Sequence, residues 1–253
     1  MLKTKGVVLT HTRYGESSAI VHVFTSELGM QSYMVNGAFG KSRKDKIILM
    51  QPLNLLEMEV YDRKGKEIQR ISEFKLSRAL VNIPFSQKLR AQAFLLTEVL
   101  ARVLRSEGPN LPMFEFVEEA VTLLDSNCKG AENFHIWFLL RLASFLGFQP
   151  HNNYDDDYKW FDLNEGCYVS REPAHIHYLD DQLSYELHRI LNLDSDGLAD
   201  IAARLDIRRR LLDAVIRFYE LHQPGLGKLR SLSVLNELFV LLRRLKMPVL
   251  PPV

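Results

Sequence analysis

Four cationic residues lie close together in the sequence just after residue 40. The aromatic Phe39 precedes these cations and lies between Gly37 and Gly40. Ammonium and guanidinium groups at this density neutralise phosphates, and a flat ring beside them can stack on a nucleic-acid base. Arg13 adds a further cation earlier in the chain. These residues predict a polyanion-binding surface, and its cationic cluster comprises Lys41, Arg43, Lys44 and Lys46.

A plainer interpretation stays open for each of these residues. On charge alone, the cationic cluster reads as an ordinary hydrophilic turn whose charges are solvated. Tyr14 and Tyr33 could offer stacking faces as Phe39 could, but Tyr33 equally fits a position in a hydrophobic core. Phe39 is the strongest stacking candidate because its flanking glycines are typical of a loop.

The elements before and after the cationic cluster read as strands. Val7 and Leu9 alternate with Val8 and Thr10, and residues 20–25 alternate in the same way. Asn36-Gly37 ends a third run, and residues 53–61 and 67–74 form two more around a turn at 62–65. About five short strands within the first 78 residues predict a closed or partly closed barrel the size of an OB-fold. The cationic segment would then be a loop at the mouth of the barrel.

In the rest of the chain the spacing of apolar residues changes from that of strands to that of helices. From residue 86 apolar side chains recur at helical spacing, and helices are predicted up to residue 146 and again from residue 184, including 184–193, 197–203 and 231–246. Residues 150–183 instead suggest an irregular loop with a small hairpin. The predicted fold class is α+β and multidomain. It has an OB-fold barrel over residues 1–78, and an all-helical domain over 79–253 that contains the insert at 150–183.

Composition indicates a globular protein without disulfides or a membrane span. The chain has 253 residues, 47% of them hydrophobic, and two cysteines, so a proper core is expected and a disulfide framework is not. No apolar run approaches the length of a membrane span, which leads us to expect a soluble, cytoplasmic protein without membrane contact.

The net charge of +1 conceals a strong segregation along the chain. Residues 1–78 hold 13 Lys and Arg against 8 Asp and Glu, and residues 150–200 hold 3 against 12. The last 53 residues are basic again. Arg204 and Arg208 to Arg210, with Lys228 and Arg230, form a second candidate patch there. Consecutive arginines on a helix diverge, however, and pairing of one or two of them with Asp206 or Asp213 is favoured.

Catalysis is not predicted. The carboxylates of Asp155, Asp156 and Asp157 are adjacent and diverge, whereas a two-metal site needs carboxylates that converge from separate elements. The sequence also lacks a GxxxxGK[ST] phosphate loop and a GxSxG elbow. A generic OB-fold module that binds RNA or protein remains the main alternative to a DNA-binding protein, and a metal-dependent nuclease is a more distant one.

Several segments of the chain match one known family. The most specific are residues 6–46 and Met50-Gln51-Pro52-Leu53, and TEVLARVL at 97–104, FLGFQP at 145–150 and KLRSL at 228–232 extend the match. In these segments the chain resembles the RecO family of bacterial recombination mediators. The resemblance implies an OB-fold followed by a helical domain. It also implies binding of single- and double-stranded DNA, annealing of complementary strands, and loading of a RecA-type recombinase with RecR and single-strand-binding protein. No cofactor is implied, and the expected location is the nucleoid.

The resemblance further implies a peptide site on the helical domain. In this family that domain accepts the acidic, hydrophobic C-terminal tail of single-strand-binding protein, which requires an apolar pocket with cations at its rim. Arg102 could instead pair with Glu98 one helical turn earlier. The cations available for the tail are Arg90, Arg102, Arg105 and Arg141.

The chain departs from the family in its metal chemistry. Many RecO proteins hold zinc with four cysteines in two CxxC pairs, but the matching region here keeps only Cys167. His151, His175 and His177 follow no zinc spacing, so no structural zinc is predicted. An aromatic cluster is expected to stabilise the insert in its place, made of Tyr154, Tyr158, Trp160, Phe161 and Tyr168.

Overall fold

The chain folds into two compact units, Met1–Asn127 and Cys128–Val253. A computed structural model describes residues 1–39, 44–105, 107–200, 204–235 and 237, with the backbone alone at residues 44, 45 and 200. The first unit contains a closed five-stranded barrel and the second is helical with a small sheet, which confirms the predicted α+β class. No helix within the described ranges is long and apolar enough to cross a membrane.

Five strands close the barrel in the order β1-β2-β3-β5-β4. Their bounds are Leu2–Tyr14 (β1), Ser18–Thr25 (β2), Gly29–Val35 (β3), Leu55–Tyr61 (β4) and Ile68–Arg78 (β5). Side chains of alternate residues point inward, so Val21, Val23 and Tyr33 meet Met58 and Val60 in one core. The period of two in the sequence therefore predicted the strands.

The first strand takes part in both halves of the barrel. Residues 2–7 pair with β4 and residues 6–14 pair with β2, and an irregularity between Val8 and Thr10 lets the strand bend. Closure comes from a short parallel pairing in which Ser32 to Met34 of β3 meet Ile68 to Arg70 of β5. Tyr14 at the far end of β1 pairs with Ser18, and Ala19 pairs with Val35 at the end of β3, so the far end of β1 and the turn after β3 lie at one rim of the barrel.

Three helices complete the first unit: α1 (Lys44–Leu49), α2 (Gln87–Val103) and α3 (Leu111–Asp125). The prediction of a continuous loop up to Lys46 is wrong, because a helix begins at Lys44. The fifth strand was also predicted too short, ending at Phe74, whereas β5 continues to Arg78 past a register shift at Glu59/Val60.

A buried carboxylate fixes the turn between β5 and α2. Asp125, at the end of α3, accepts backbone N–H groups of Val81, Asn82 and Ile83 at 2.8, 2.9 and 2.8 Å. The Asn82 side chain donates back to the Asp125 carbonyl at 2.7 Å. The Asn82 carbonyl in turn accepts from the backbone N–H groups of Phe85 and Ser86. Residues 81–86 are therefore held in a defined shape, because all of these bonds constrain one short turn.

The second unit is built on α4 (Phe134–Phe145), α5 (Asp181–Leu191) and α6 (Leu205–His222). Helix α5 begins three residues earlier than predicted because Asp180 caps it, accepting the Leu183 N–H at 2.9 Å. The helix predicted at 197–203 is instead a 3-10 helix over Ser195–Asp200, and residues 201–203 lie outside the described ranges. Residues 230–235 are helical, and most of the predicted 231–246 helix also lies outside those ranges.

The insert forms a small sheet of β6 (Trp160–Asp162), β7 (Cys167–Val169) and β8 (Tyr178–Leu179). Phe161 and Tyr168 are buried and meet edge-on at 4.8 Å between ring centroids. Tyr154 packs on Tyr168, so most of the predicted aromatic cluster exists. Tyr158 is exposed, and its place in the cluster was predicted wrongly. Trp160 contacts Tyr178 instead.

Candidate nucleic-acid interface

Arg13 and Phe39 meet at the rim of the barrel. The guanidinium carbon of Arg13 lies 5.2 Å from the centroid of the Phe39 ring, within the range of a cation–π contact. Arg13 sits near the end of β1, and Phe39 is fixed on the turn after β3 by its N–H bond to the Ser17 carbonyl at 3.0 Å. The structure thus places side by side two predicted site residues that are 26 positions apart in the sequence.

Lys46 extends the same rim from helix α1. Its Nζ donates to the backbone carbonyl of Asn36 at 3.4 Å, and Arg13 Nη2 donates to the Glu16 carbonyl at 2.7 Å. Neither cation forms an ion pair with an acidic group in the part of the chain that the structure describes. Because neutral carbonyls hold them, both charges remain available to an anion.

The remaining cations of the cluster cannot be placed. Lys41 and Arg43 lie outside the described residues, and Lys44 is described by its backbone, at the start of α1. The anchoring carbonyls of Glu16 and Asn36 were missed by sequence reasoning, since a backbone acceptor leaves no signal in residue types.

The three aromatic residues considered for base stacking differ in how far they are buried. Phe39 is 36% exposed and Tyr14 is exposed at the end of β1, so both present ring surface to solvent. Tyr33 is wholly buried in the barrel, which makes the core interpretation right and the stacking interpretation wrong. Burial, with a smaller effect from the Asp62 charge, raises the pKa of the Tyr33 hydroxyl well above its usual value, so it stays neutral.

Three of the arginines proposed for a peptide site lie in the first unit. Arg102 pairs with Glu98 one turn earlier on α2, as the alternative interpretation predicted. Arg90 is exposed on α2. Arg105 follows α2 and lies close enough to β2 for its charge, after the effect of burial, to lower the pKa of His22.

The fourth arginine lines a cleft in the second unit. Arg141, on α4, donates to the Leu193 carbonyl at 2.7 Å and pairs with the exposed Asp194 at 3.3 Å. The cleft has a volume of about 310 Å³. Its apolar lining comes from Trp137, Leu140, Pro150, Ile190 and Leu191.

Three arginines of the second basic patch are bound to partners within the second unit. Arg204 pairs with Asp206 at 3.2 Å, and Arg210 pairs with Asp180, the residue that caps α5. Arg208 Nε donates to Asn133 Oδ1 at 2.8 Å. The interpretation of these arginines as structural charges is therefore favoured over a polyanion site.

The insert offers little to a metal ion. No group of three His, Cys, Asp or Glu side chains converges anywhere in the described ranges. His175 Nε2 lies 3.1 Å from the buried Asp162 carboxylate, and burial raises the pKa of the Cys167 thiol, which disfavours the thiolate form that binds zinc. The absence of structural zinc stays a prediction.

Comparison with known proteins accounts for nearly the whole chain. A family model described as "Recombination protein O N terminal" matches residues 1–80, and "Recombination protein O C terminal" matches residues 90–233. Proteins named DNA repair protein RecO from Phocaeicola vulgatus and Bacteroides fragilis are each 32% identical over 240 residues, covering 94% of this chain and 98% of the relative. The RecO of Azobacteroides pseudotrichonymphae is 28% identical over 243 residues, covering 94% of this chain and 99% of its own. With both family models matched along the barrel and the helices, this chain belongs to the RecO family of DNA repair proteins.

Proposed function

We propose that this protein is a recombination mediator without catalytic chemistry of its own. It binds single- and double-stranded DNA without sequence specificity, anneals complementary strands, and helps to load a RecA-type recombinase together with a RecR-like protein and single-strand-binding protein. The observation that carries the proposal is the contact of Arg13 with the half-exposed Phe39 at the barrel rim, next to Lys46. Membership of the RecO family supports a role in DNA repair.

This rim has the chemistry that annealing requires. Annealing needs the phosphates of a strand neutralised while its base edges stay free to search for a partner. Cations held by carbonyls neutralise phosphates, and contacts to phosphates carry no sequence information. A ring such as Phe39 stacks on any base, because every base has a flat face.

The proposed DNA site extends beyond the described side chains. We assign Lys41, Arg43 and Lys44 to it because they lie between Phe39 and Lys46 in the sequence. We assign residues 1–78 to nucleic-acid binding and residues 79–253 to the helical domain. The two family models support this division, since one ends at residue 80 and the other begins at residue 90.

The tail of single-strand-binding protein is proposed to bind the cleft beside Arg141. An acidic, hydrophobic peptide needs an apolar floor and a cation at the rim, and the α4–α5 cleft has both. Arg141 is a stronger candidate than Arg102, because Arg141 lines the apolar cleft and its acidic partner Asp194 is almost fully exposed, whereas Arg102 and Glu98 form a largely buried pair in the first unit. Arg90 and Arg105 remain candidates on exposure alone.

A strand-annealing assay tests the proposal directly. Two complementary oligonucleotides that carry a fluorescent donor and acceptor should anneal faster with the protein than without it. The Arg13→Ala/Lys46→Ala variant should lose most of that acceleration, while Lys64→Ala, an exposed cation on the β4–β5 turn, should keep it. Binding without annealing would support a generic OB-fold module, and cleavage of the strands with Mg²⁺ or Mn²⁺ would support a nuclease. Either result would refute the proposed function.

A further inference from the structure

The turn between β5 and α2 presents large apolar side chains to solvent. Phe85 is 85% exposed and Val81 is 63% exposed, and Phe94 on α2 is 49% exposed. Isolated exposed apolar residues are common on proteins, but these three flank one short segment. The exposure of Phe85 leaves its ring open for a stacking partner.

The same segment is strongly basic. No acidic residue occurs between Glu73 and Glu98, whereas Arg78, Lys88 and Arg90 fall inside this stretch and are exposed. None of these three cations takes part in an ion pair among the described residues. Lys75, also in this stretch, is neutralised by Glu57 at 2.9 Å. Exposed aromatic and cationic side chains are thus interspersed along this stretch of the sequence, with Arg90 and Phe94 one helical turn apart on the same face of α2.

Hydrogen bonds also fix the backbone of this turn. The Asp125 carboxylate holds the N–H groups of Val81, Asn82 and Ile83, and Asn82 closes the turn by accepting the Phe85 N–H at 3.1 Å. A rigid support lowers the entropy cost when an exposed ring binds a ligand.

We infer that this surface, formed by Phe85 with Arg78 and Lys88, is a second contact site for single-stranded DNA, separate from the barrel rim. A base stacks on the Phe85 ring while the two cations neutralise the neighbouring phosphates. The chemistry favours a nucleic acid over an apolar protein partner, because Arg78 and Lys88 lie on either side of Phe85 in the sequence, form no ion pair among the described residues, and would be offset by an anionic ligand. The inference rests on the proposed function and adds a place where the bound strand continues beyond the barrel.

The test is fluorescence anisotropy with a labelled oligo-dT and with an abasic oligonucleotide of equal length. Comparing the two strands distinguishes the contribution of base stacking to binding from that of phosphate contacts. Phe85→Ala should weaken binding of oligo-dT by about fivefold or more and leave binding of the abasic strand unchanged. Phe85→Trp should restore binding of oligo-dT. Arg78→Ala/Lys88→Ala should weaken binding of both strands and lower the slope of log K against log salt by about 1.4. Ile176→Ala, which removes a side chain that is 86% exposed in the insert, is the matched control and should bind as the unchanged protein does.

The outcomes distinguish the two proposals. If Arg13→Ala weakens binding of oligo-dT but Phe85→Ala does not, the second site is refuted and the barrel site stands. If Phe85→Ala spares DNA binding but abolishes binding of a RecR-like protein, the surface is a protein interface and the inference is wrong. If the unchanged protein binds no oligonucleotide even at low salt, both proposals fail.

Discussion

The Arg13 guanidinium lies over the Phe39 ring with 5.2 Å between the guanidinium carbon and the ring centroid. A second pair of this kind, Arg63 over Tyr61 at 5.8 Å, occurs beside the β4–β5 turn. The barrel therefore offers a matched comparison between a cation–π pair at the proposed DNA rim and one elsewhere.

Arg13→Ala should weaken binding of single-stranded DNA and lower the log–log salt slope by about 0.7, because one phosphate contact is lost. Arg13→Lys should keep the slope, since the charge remains, but should bind more weakly because a planar group over Phe39 is lost. Anisotropy titrations at several salt concentrations measure both effects. Arg63→Ala is the control, and an equal loss in this variant would show that the rim has no special role.

Replacing Lys41, Arg43 and Lys44 together by alanine should flatten the salt dependence of DNA binding. The expected decrease in slope is about 2 for single strands and up to about 3 for duplex DNA, since three phosphate contacts would be lost. Filter binding or anisotropy over a salt series measures it. Unchanged affinity and slope in the triple variant would remove these residues from the DNA site.

Arg141→Ala should weaken binding of a peptide with the acidic tail sequence of single-strand-binding protein by about tenfold, because a charge-assisted contact at the cleft rim is lost. Arg102→Ala should change the affinity less than about twofold, since Arg102 does not line the cleft and its charge is offset by the largely buried Glu98. Fluorescence titration with a labelled peptide compares the two, with Arg105→Ala alongside. A larger loss in Arg102→Ala than in Arg141→Ala would place the tail on α2.

Asp125→Ala should lower the free energy of unfolding by about 3 kcal/mol or more, because three backbone N–H groups lose their acceptor. Asp125→Asn should cost less, as one oxygen still accepts. Chemical denaturation monitored by circular dichroism gives the values. Glu119→Ala on the exposed face of α3 is the control, and a similar effect there would contradict the role of the Asp125 hydrogen bonds.

His135 should make the stability of the second unit depend on pH. Burial, with a smaller effect from the Arg208 charge, lowers the pKa of His135 to about 3 in the folded protein. In the unfolded chain the histidine pKa is about 6.5. Between about pH 3 and 6.5, His135 is therefore protonated in the unfolded chain and neutral in the folded protein. The contribution of His135 to stability is thus present above pH 6.5 and is lost as the pH falls towards 3.

Urea unfolding of the unchanged protein and of His135→Gln and His135→Leu, across pH 4 to 7.5, tests this dependence. Both variants should lose stability less steeply on acidification than the unchanged protein, by up to about 1.4 kcal/mol per pH unit. An identical pH dependence in all three proteins would show that His135 is not the group responsible.

The sequence predicted the barrel because strand alternation is a local property, written into neighbouring residues such as Val21 to Phe24. It did not predict α1, because Lys44–Leu49 is too short for a helical period to show and its charges read as a loop. Nor could it pair Arg13 with Phe39, or Asp125 with the turn at Val81 to Ile83, since these contacts join distant positions through the closed fold. The sequence identified Arg13 and Lys46 as candidate site residues, but it could not predict their hydrogen bonds to the Glu16 and Asn36 carbonyls.

Barrel closure has a consequence for the timing of DNA binding during protein synthesis. The first strand needs β4 as a partner, and the parallel pairing of β3 with β5 cannot form before residues 68–70 have left the ribosome. Pairings between such distant segments form late in folding, because a long loop must be closed first. A nascent chain that ends before β5 therefore carries every cation of the rim but cannot hold them in place, and the proposed DNA-binding activity should emerge abruptly once the fifth strand is available.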